Sequence, residues 1–196
     1  LCCLPSTWRI WPVPTNGQFT VLAADVGQGS AVLVQTAQHT LLFDAGPKVG
    51  SQQDAGMRVL LPLFRTLGWS RLDAVMISHG DTGHIGGAQS VLNAMPVGQL
   101  WSSLPPDHEL RQAQSANGAV PPHHDCEVGQ TWTWDGVVFK VLRPSAADLA
   151  QRAQLTENAL SCVLQIRSAE PGKTGEESVR VALLTGDIEA EQEALL

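Results

Sequence analysis

The pattern of apolar and polar residues predicts a small sheet followed by a helix in the first third of the chain. Short, largely apolar runs at residues 20–26, 30–36 and 40–43 are separated by the turns Gly-Gln-Gly and Ala-Gln-His, as in consecutive β-strands. Over residues 56–67 the apolar side chains instead recur at helical spacing, and Gly68 follows them as a typical helix end. We therefore expect strands linked by tight turns and then an amphipathic helix.

A buried strand, a polar turn and a second helix follow. The run LDAVMI at residues 72–77 lacks the alternation of a half-exposed strand, which indicates burial on both faces. Residues 78–84 form a turn rich in metal-ligand side chains, and a helix is predicted over about residues 87–95.

The second half of the chain favours strands. The pair Asp135-Gly136 is a strong signal for a two-residue hairpin between strands at 131–134 and 137–142. Together with the first half, this order predicts a layered α/β sandwich of two sheets covered by helices. Other predicted elements are strands at 99–102, 160–167 and 179–184, a solvated loop at 168–178 and a helix at 189–196.

Length and composition limit this architecture to one domain. The chain has 196 residues, of which 43% are hydrophobic, enough for one core and too few for two ordinary domains. The content of Gly, Pro and Cys excludes a collagen-like chain and a disulfide scaffold. Because the four cysteines lie at no metal-ligand spacing, we expect them to be buried or incidental and to leave the cellular compartment open. They are Cys2, Cys3, Cys126 and Cys162.

The start of the chain permits two interpretations. Residues 1–14 are apolar and contain Trp8 and Trp11, a residue type favoured at lipid headgroups. They fit the end of a membrane segment or an ordinary linker, and we favour the linker. We predict a linker or membrane-proximal segment at residues 1–16 and one domain at 17–196. Since the chain begins with Leu1 and stops after an acidic helical run, we expect a processed product or a piece of a longer protein.

Charge is distributed unevenly along the chain. Residues 1–100 carry five acids and five bases, whereas residues 101–196 carry fourteen acids and seven bases, for a net charge of −7. This excludes a uniformly basic surface for duplex DNA but leaves room for a local patch. The bases nearest the predicted site suit phosphate contacts or, as we favour, a solvated helix face. They are Lys48, Arg58, Arg65 and Arg71.

The turn after the buried strand is the strongest candidate for chemistry. His79, Asp81 and His84 lie within six residues, and two imidazoles with a carboxylate suit a divalent cation. Neighbouring glycines permit a tight turn that directs these side chains into one concave site. The turn alone is equally compatible with a solvated polar loop.

Two weaker candidates lie in the second half. The run His123, His124, Asp125 and Cys126 suits a surface metal site or, as we favour, a solvated turn. The tryptophans at 132 and 134 suit stacking on nucleobases or, as we favour, the core face of a hairpin.

Six motifs along the chain match one known family in the family's order. The chain thereby resembles the metallo-β-lactamase superfamily and, more closely, the C-terminal domain of the ComEC family of bacterial competence proteins. This resemblance covers nearly the whole chain and implies an αββα sandwich whose loops bind metal at one edge of the sheets. The motifs are DVGQG at 25–29, TLLFDAGP at 40–47, residues 54–62, residues 79–87, residues 132–142 and LLTGDIE at 183–189.

The resemblance also implies roles for single residues. His79 and Asp81 would bind a first divalent ion, His84 would bind a second, and Asp187 would bridge them. Asp81 and Asp187 are the implied catalytic residues, and the ions would be one or two Zn²⁺ or Mn²⁺ acting in phosphodiester hydrolysis without a protein nucleophile. The implied supporting or substrate-lining residues are Asp25, Gln28, Asp44, Asn158 and Ser161, of which the last two fit a polar strand start equally well.

Three departures from the family pattern open an alternative. Gly83 stands where relatives have an aspartate, Arg143 stands where they often have a histidine, and the family's closing His-His-Gly-Ser segment is not in the chain. An arginine cannot bind a cation because its guanidinium stays protonated. The chain is thus either an active nuclease domain or a degenerate domain with a structural or DNA-guiding role. A third reading keeps the hydrolase and changes the substrate to a lactam, a thioester or a small phosphodiester.

The leading interpretation is a metal-dependent nuclease domain of a DNA-uptake protein that degrades the strand not transported. It implies single-stranded DNA as substrate and the membrane channel of the same parent chain as partner, and the sequence indicates no other protein partner. We expect association with a bacterial inner membrane, with the periplasmic side favoured. We also expect the 196 residues alone to be inactive.

Overall fold

Two β-sheets packed face to face form the centre of the molecule. The structure is a computed structural model that describes residues 11–50, 53–171 and 177–196. The six strands of the first sheet, in spatial order, are β1 (Thr20–Ala23), β2 (Val32–Gln35), β3 (Thr40–Phe43), β6 (Ala74–Ile77), β7 (Leu100–Ser102) and β8 (His123–Asp125). The second sheet has the order β12 (Glu177–Leu184), β11 (Val163–Pro171), β10 (Val137–Arg143) and β9 (Thr131–Trp134), and β4 (Lys48–Val49) pairs separately with β5 (Gln53–Asp54).

Strand direction brings several polar segments to one edge of the sandwich. In the first sheet β3, β6, β7 and β8 run parallel, so the segments that follow them emerge at the same edge. The second sheet is antiparallel, and the amino end of β11 lies beside the carboxyl end of β12. Both sheets therefore contribute loops to one edge.

The predicted helix at 56–67 is confirmed, with a π-helical first turn at Gly56–Leu60 and α1 at Leu61–Leu67. Gly68 ends it with a φ of 74°, a left-handed conformation that glycine adopts without a steric penalty. The other helices are α2 (Thr82–Ile85), α3 (Ala88–Ala94), α4 (Ala146–Ala150) and α5 (Ala190–Glu193), and 3₁₀ turns lie at Glu109–Gln112, Arg152–Gln154 and Asn158–Leu160.

Two apolar cores hold the layers together. One lies between the first sheet and the helices and contains Phe64 and Leu92. The other lies between the sheets and contains Phe43 and Phe139. Burial of one such side chain stabilises the fold by about 1.5–3 kcal/mol. Trp132 packs against this second core, so the hairpin interpretation of that residue is confirmed.

The histidine-rich run at 123–126 is not the solvated turn that we predicted. His123–Asp125 forms β8, the edge strand of the first sheet, although His and Asp are not typical strand formers. Tertiary contacts explain the difference: His124 stacks on Trp101 with ring centroids 4.4 Å apart, and His123 Nε2 lies 2.8 Å from Ser102 Oγ. Burial lowers the pKa of His123 to about 4.

The expectation that the cysteines are buried or incidental is confirmed as burial for Cys126 and Cys162, but it missed the disulfide between them. Cys126 and Cys162 are fully buried and bonded to each other. The bond joins the segment after β8 in the first sheet to the start of β11 in the second. Cys2 and Cys3 lie outside the described residues.

The predicted loop at 168–178 is too long. Strand β11 continues to Pro171 and β12 begins at Glu177, while residues 172–176 lie outside the described part of the chain. The same holds for Trp8 and most of the segment 1–14, so the domain boundary after residue 16 stays a prediction. Within the described ranges, no helix combines the length and apolarity that a membrane crossing requires.

The two sheets are also connected at the opposite edge. The Asp135 side chain accepts hydrogen bonds at Oδ2 from Thr36 Oγ1 at 2.6 Å, from the backbone N of Gln38 at 2.7 Å and from His39 Nδ1 at 3.0 Å. Burial alone would raise the pKa of Asp135, but the hydrogen bonds from His39, Thr36 and Gln38 lower it below its ordinary value. We call these four residues the hairpin clamp, because they join the β2–β3 turn to the β9–β10 turn.

Asp135→Asn is expected to lower the free energy of unfolding by about 1–2 kcal/mol at pH 7, because the variant loses the charge that accepts these hydrogen bonds. Asp135 has a φ of 49°, which asparagine also tolerates, so the change tests the charge and not the turn. A carboxyl group with a lowered folded pKa stabilises the fold above its unfolded pKa of about 3.9 and loses that effect as the pH falls.

Urea unfolding of both proteins at several pH values checks this expectation. The difference between them should be constant above about pH 5 and should shrink towards lower pH. A difference that does not change with pH would contradict a role for the charge.

Candidate metal centre

His79, His84 and Asp187 come together at the edge where the parallel strands end. His79 follows β6, His84 lies in α2, and Asp187 follows β12 of the second sheet. One potential ligand atom from each residue lies within 4.8 Å of the others. The fold therefore gathers residues up to 108 positions apart into one cluster that suits a divalent cation.

The cluster has a buried imidazole part and an exposed carboxylate part. The His79 side chain is 1% exposed, whereas Asp81 is 58% exposed and Asp187 is 52% exposed. Asp81 Oδ2 lies 3.5 Å from His79 Nε2, and Asp187 Oδ2 lies 3.2 Å from His84 Nε2. All four residues that the resemblance implied as ligands are thus neighbours.

Asp44 fixes the imidazole of His84 through a hydrogen bond to Nδ1, on the side of the ring opposite Nε2. This aspartate follows β3 and is fully buried. It accepts hydrogen bonds from Ser78 N at 2.7 Å, from Ser78 Oγ at 2.9 Å and from His84 Nδ1 at 2.8 Å. Because Nδ1 donates to the carboxylate, the neutral ring presents the lone pair of Nε2 towards the carboxylates, as in histidines that bind metals.

His79 has one supported nitrogen and one nitrogen without a partner. Its Nδ1 lies 2.9 Å from Ser78 Oγ and 3.3 Å from Ser161 Oγ. Its Nε2 is buried and has no hydrogen-bond partner. A buried polar atom of this kind destabilises a fold unless something binds it, and a cation held with His84 and Asp187 would do so.

The two imidazoles have opposite pKa shifts. Burial, assisted by the neighbouring His84, lowers the pKa of His79 and favours the neutral ring that binds cations. Burial alone would also lower the pKa of His84, but the hydrogen bond and the charge of Asp44 outweigh it and raise the pKa. One imidazole of the cluster thus favours the neutral form, while the neighbouring carboxylates of the other favour a positive charge on its ring.

A cavity of about 1010 Å³ opens over the cluster, and we call it the metal cavity. Gly83 lies in its wall, where an added Cβ would be 3.5 Å from Gly29 Cα, an ordinary contact distance. Gly29 itself has a φ of 152°, and a Cβ there would collide with the carbonyl oxygen of Gly83. Close packing thus explains Gly29 but leaves room for a side chain at Gly83.

The remaining predicted residues lie at different distances from this cavity. Gln28 and Lys48 line it. Asp25 is exposed and accepts a hydrogen bond from Gly27 N at 3.3 Å, so it shapes the wall. The backbone oxygen of Asn158 accepts from Ser161 N at 3.0 Å, which places the Ser161 hydroxyl beside His79.

Two contributors were not assigned from the sequence. Ser78 contacts both Asp44 and His79, and its position directly after a buried parallel strand, where ligand sites commonly lie, was the available signal. Glu157 lines the metal cavity from a loop with no such signal. Arg143 is buried and pairs with Asp148 at 2.9 Å.

The sequence profile of the metallo-beta-lactamase superfamily matches residues 24–148, which contain His79, Asp81 and His84. This match covers more than half of the chain. The chain belongs to the metallo-beta-lactamase superfamily. Its fold class, predicted as a layered sandwich of this superfamily, is confirmed.

Known proteins similar to this superfamily member include two curated relatives. Competence protein ComA of Neisseria gonorrhoeae is 34% identical over 190 residues, which are 97% of this chain and 23% of that protein. Recombination protein 2 of Haemophilus influenzae is 31% identical over 171 residues, which are 87% of this chain and 18% of that protein. The chain thus spans about a fifth of the length of these relatives.

A solved structure supports the same fold. A metallo-beta-lactamase mutant from Cronobacter sakazakii aligns with a TM-score of 0.51 at 17% identity, covering 86% of this chain and 63% of that one. At this identity the likeness concerns the fold alone.

Proposed function

We propose that this chain is a metal-dependent hydrolase domain that cleaves phosphodiester bonds in single-stranded DNA during DNA uptake, degrading the strand that is not transported. The observation that carries the proposal is the buried His79 Nε2, which has no hydrogen-bond partner and lies next to His84 and Asp187, two residues that line a large cavity. The 34% identity of the chain with a protein named Competence protein ComA supports the role in DNA uptake.

The residues of the cluster would have different roles in such a site. His79, His84, Asp81 and Asp187 would hold one or two divalent ions, Zn²⁺ or Mn²⁺. An ion bound there supplies Lewis-acid stabilisation of the charge on phosphoryl oxygens. Asp44 fixes the ring of His84 through its 2.8 Å hydrogen bond, so its Nε2 keeps its direction.

The exposed residues of the cavity would meet the substrate. Lys48 lies in the wall and brings a positive charge to a phosphate. Gln28 lies in the same wall, on the loop that packs against Gly83. No protein nucleophile is required in this proposal, and water is the attacking group.

The disulfide supports the extracytoplasmic side of a bacterial inner membrane as the place of action. Disulfides persist mainly in oxidising compartments such as the periplasm. Cys126 and Cys162 are fully buried and bonded to each other. The membrane channel of the same parent chain would be the neighbour of the domain there.

A degenerate domain without catalysis is the second candidate, and Gly83 is the observation that favours it. This glycine lies in the cavity wall close to the cluster and offers no ligand. Arg143, at the other position where relatives often have a ligand, pairs with Asp148 instead. Such a domain would keep the sandwich for structure or for guiding DNA.

Metal content and cleavage of a labelled single-stranded oligonucleotide separate these candidates. We expect Zn²⁺ or Mn²⁺ to bind the chain and the full-length gene product to cleave the oligonucleotide. Asp81→Ala should lower cleavage at least about a hundredfold, since metal-site residues beyond the ligands already contribute about 10–100-fold. Asp107→Ala, which changes an exposed aspartate outside the lining of the metal cavity, is the matched control and should keep most of the activity.

Each alternative has its own result. The hydrolase would be excluded if neither the chain nor the full-length gene product bound metal or cleaved the oligonucleotide. Cleavage that arises only in Gly83→Asp would identify the natural chain as degenerate. Turnover of lactam or thioester substrates in preference to DNA would keep the hydrolase but overturn the proposed substrate.

A further inference from the structure

A second, smaller cavity lies beside His79 and is separate from the metal cavity. Its volume is about 270 Å³, and we call it the side cavity. Gly80 and Glu157 line both cavities, so the two are neighbours across these residues. A molecule held at the metal centre would reach the side cavity past the Glu157 carboxylate.

The Glu157 carboxylate lies over Gly80, at the boundary between the two cavities. A Cβ at this position would lie 2.5 Å from Glu157 Oε2 and would force that side chain to move. The absence of a side chain thus allows the Glu157 carboxylate to lie against the backbone between the two cavities.

The walls of the side cavity are largely apolar. Leu104 and Pro105 follow β7, while Leu155 and Leu160 come from the region of the 3₁₀ turns before β11. Such walls bury the flat, weakly polar face of a ring system better than they bury a charged group.

Three of the five polar side chains that line this cavity differ in hydrogen-bonding character. His108 Nδ1 accepts from Leu110 N at 3.2 Å, which leaves the proton of the neutral ring on Nε2 as a donor. Arg152 is a donor with five N–H groups, of which one on Nη1 binds Ser103 O. Glu157 is exposed and, when ionised, accepts only.

We propose that the side cavity binds one nucleobase of the DNA strand, the base next to the phosphodiester bond at the metal centre. Nucleobases combine apolar faces with edges that carry both donors and acceptors, which is the combination that the walls and the three polar residues offer. Proteins that bind a base in a pocket use apolar contacts on its faces and hydrogen bonds on its edge. This inference rests on the proposed function.

A second phosphate group fits the side cavity less well. The negative Glu157 carboxylate lies close enough to Arg152 to interact electrostatically with its guanidinium. An anion bound beside Arg152 would therefore also be repelled by this carboxylate. The apolar leucines on the other walls would also remove water from that anion without replacing its hydrogen bonds.

Titration of the Zn²⁺-treated chain with the four 2′-deoxynucleoside 5′-monophosphates and with 2-deoxyribose 5-phosphate tests the inference. We expect at least one nucleotide to bind about tenfold or more tightly than the sugar phosphate, which lacks a base. The nucleotide, and not the sugar phosphate, should shift the NMR methyl signals of Leu104, Leu155 and Leu160.

Two variants and a matched control sharpen the test. Leu155→Trp fills the side cavity and should remove the preference for nucleotides. Glu157→Ala changes an exposed residue, so it keeps the fold, and should weaken the nucleotide that binds best about fivefold or more. Leu183→Trp makes the same leucine-to-tryptophan change at an exposed position of β12 and should bind nucleotides as the unmodified chain does.

The possible failures are distinguishable. The side-cavity inference would be overturned if nucleotides and the sugar phosphate bound with equal affinity. It would also be overturned if neither Leu155→Trp nor Glu157→Ala changed the affinity for nucleotides. Both conclusions would hold even if the full-length protein cleaves DNA. Base-dependent binding that Leu155→Trp removes, without any DNA cleavage, would support the base site and overturn the proposed hydrolase.

Discussion

Replacing His84 by alanine is expected to lower the affinity of the chain for Zn²⁺ at least about a hundredfold. Loss of residues that merely orient a metal ligand costs about 10–100-fold in affinity, and loss of a ligand should reach or exceed the upper value. The exposed carboxylate of Asp187 would remain, but His84 Nε2, which lies 3.2 Å from Asp187 Oδ2, would be lost. Isothermal titration with Zn²⁺ at pH 7 measures the change.

Asp44→Asn and His39→Ala complete this experiment. Asp44 contacts the ring of His84 but does not line the cavity. Asp44→Asn should therefore lower the affinity for Zn²⁺ about 10–100-fold, because only the orientation of the His84 ring is lost. His39 belongs to the hairpin clamp at the opposite edge, and its variant should keep the affinity for Zn²⁺. If the chain and His84→Ala bound Zn²⁺ equally, His84 could not be a ligand.

The second large effect concerns stability. Cys126→Ala/Cys162→Ala is expected to lower the free energy of unfolding by about 3–4 kcal/mol, the chain-entropy value for a disulfide that closes a loop of this length. The sequence separation is 36 residues. Urea unfolding under non-reducing conditions measures it.

Reduction provides an independent measurement of the same bond. Dithiothreitol should destabilise the unmodified chain to a similar extent and should leave the double variant unchanged. Cys2→Ala/Cys3→Ala is the control with the same type and number of substitutions, and it should retain the sensitivity to dithiothreitol. Equal stability of the unmodified chain and the Cys126/Cys162 double variant would argue against a stabilising disulfide.

Local signals in the sequence were sufficient for much of the fold. The pair Asp135-Gly136 predicted a two-residue hairpin, and both residues have positive φ, as that turn requires. Helical spacing up to Gly68 predicted the helix on the first sheet, and the unbroken apolar run at 72–77 predicted the buried strand β6. In each case a few adjacent residues determine the conformation.

Features that depend on distant partners could not be predicted in this way. Asp135 accepts hydrogen bonds from residues almost 100 positions away, and the pairing of Cys126 with Cys162 depends on how two sheets meet. The strand at His123–Asp125 exists because β7 lies beside it. Nothing in the local sequence encodes these neighbours.

The candidate site divides along the same line. The turn with His79 and His84 was visible in the sequence, but only the resemblance to a family placed Asp187 beside it. Ser78 was part of the turn without an assigned role. Glu157 lies in both cavities, and no local pattern distinguished it from other exposed acids.

The two connections between the sheets also have a mechanical consequence. The hairpin clamp joins the sheets at one edge, while at the other the backbone N of Cys162 donates to Ser78 O at 2.8 Å, next to the disulfide. A sandwich fastened at both ends resists sliding of one layer over the other. His79 and His84 belong to the first layer and Asp187 to the second, so this resistance to shear preserves the alignment between the two halves of the candidate metal centre.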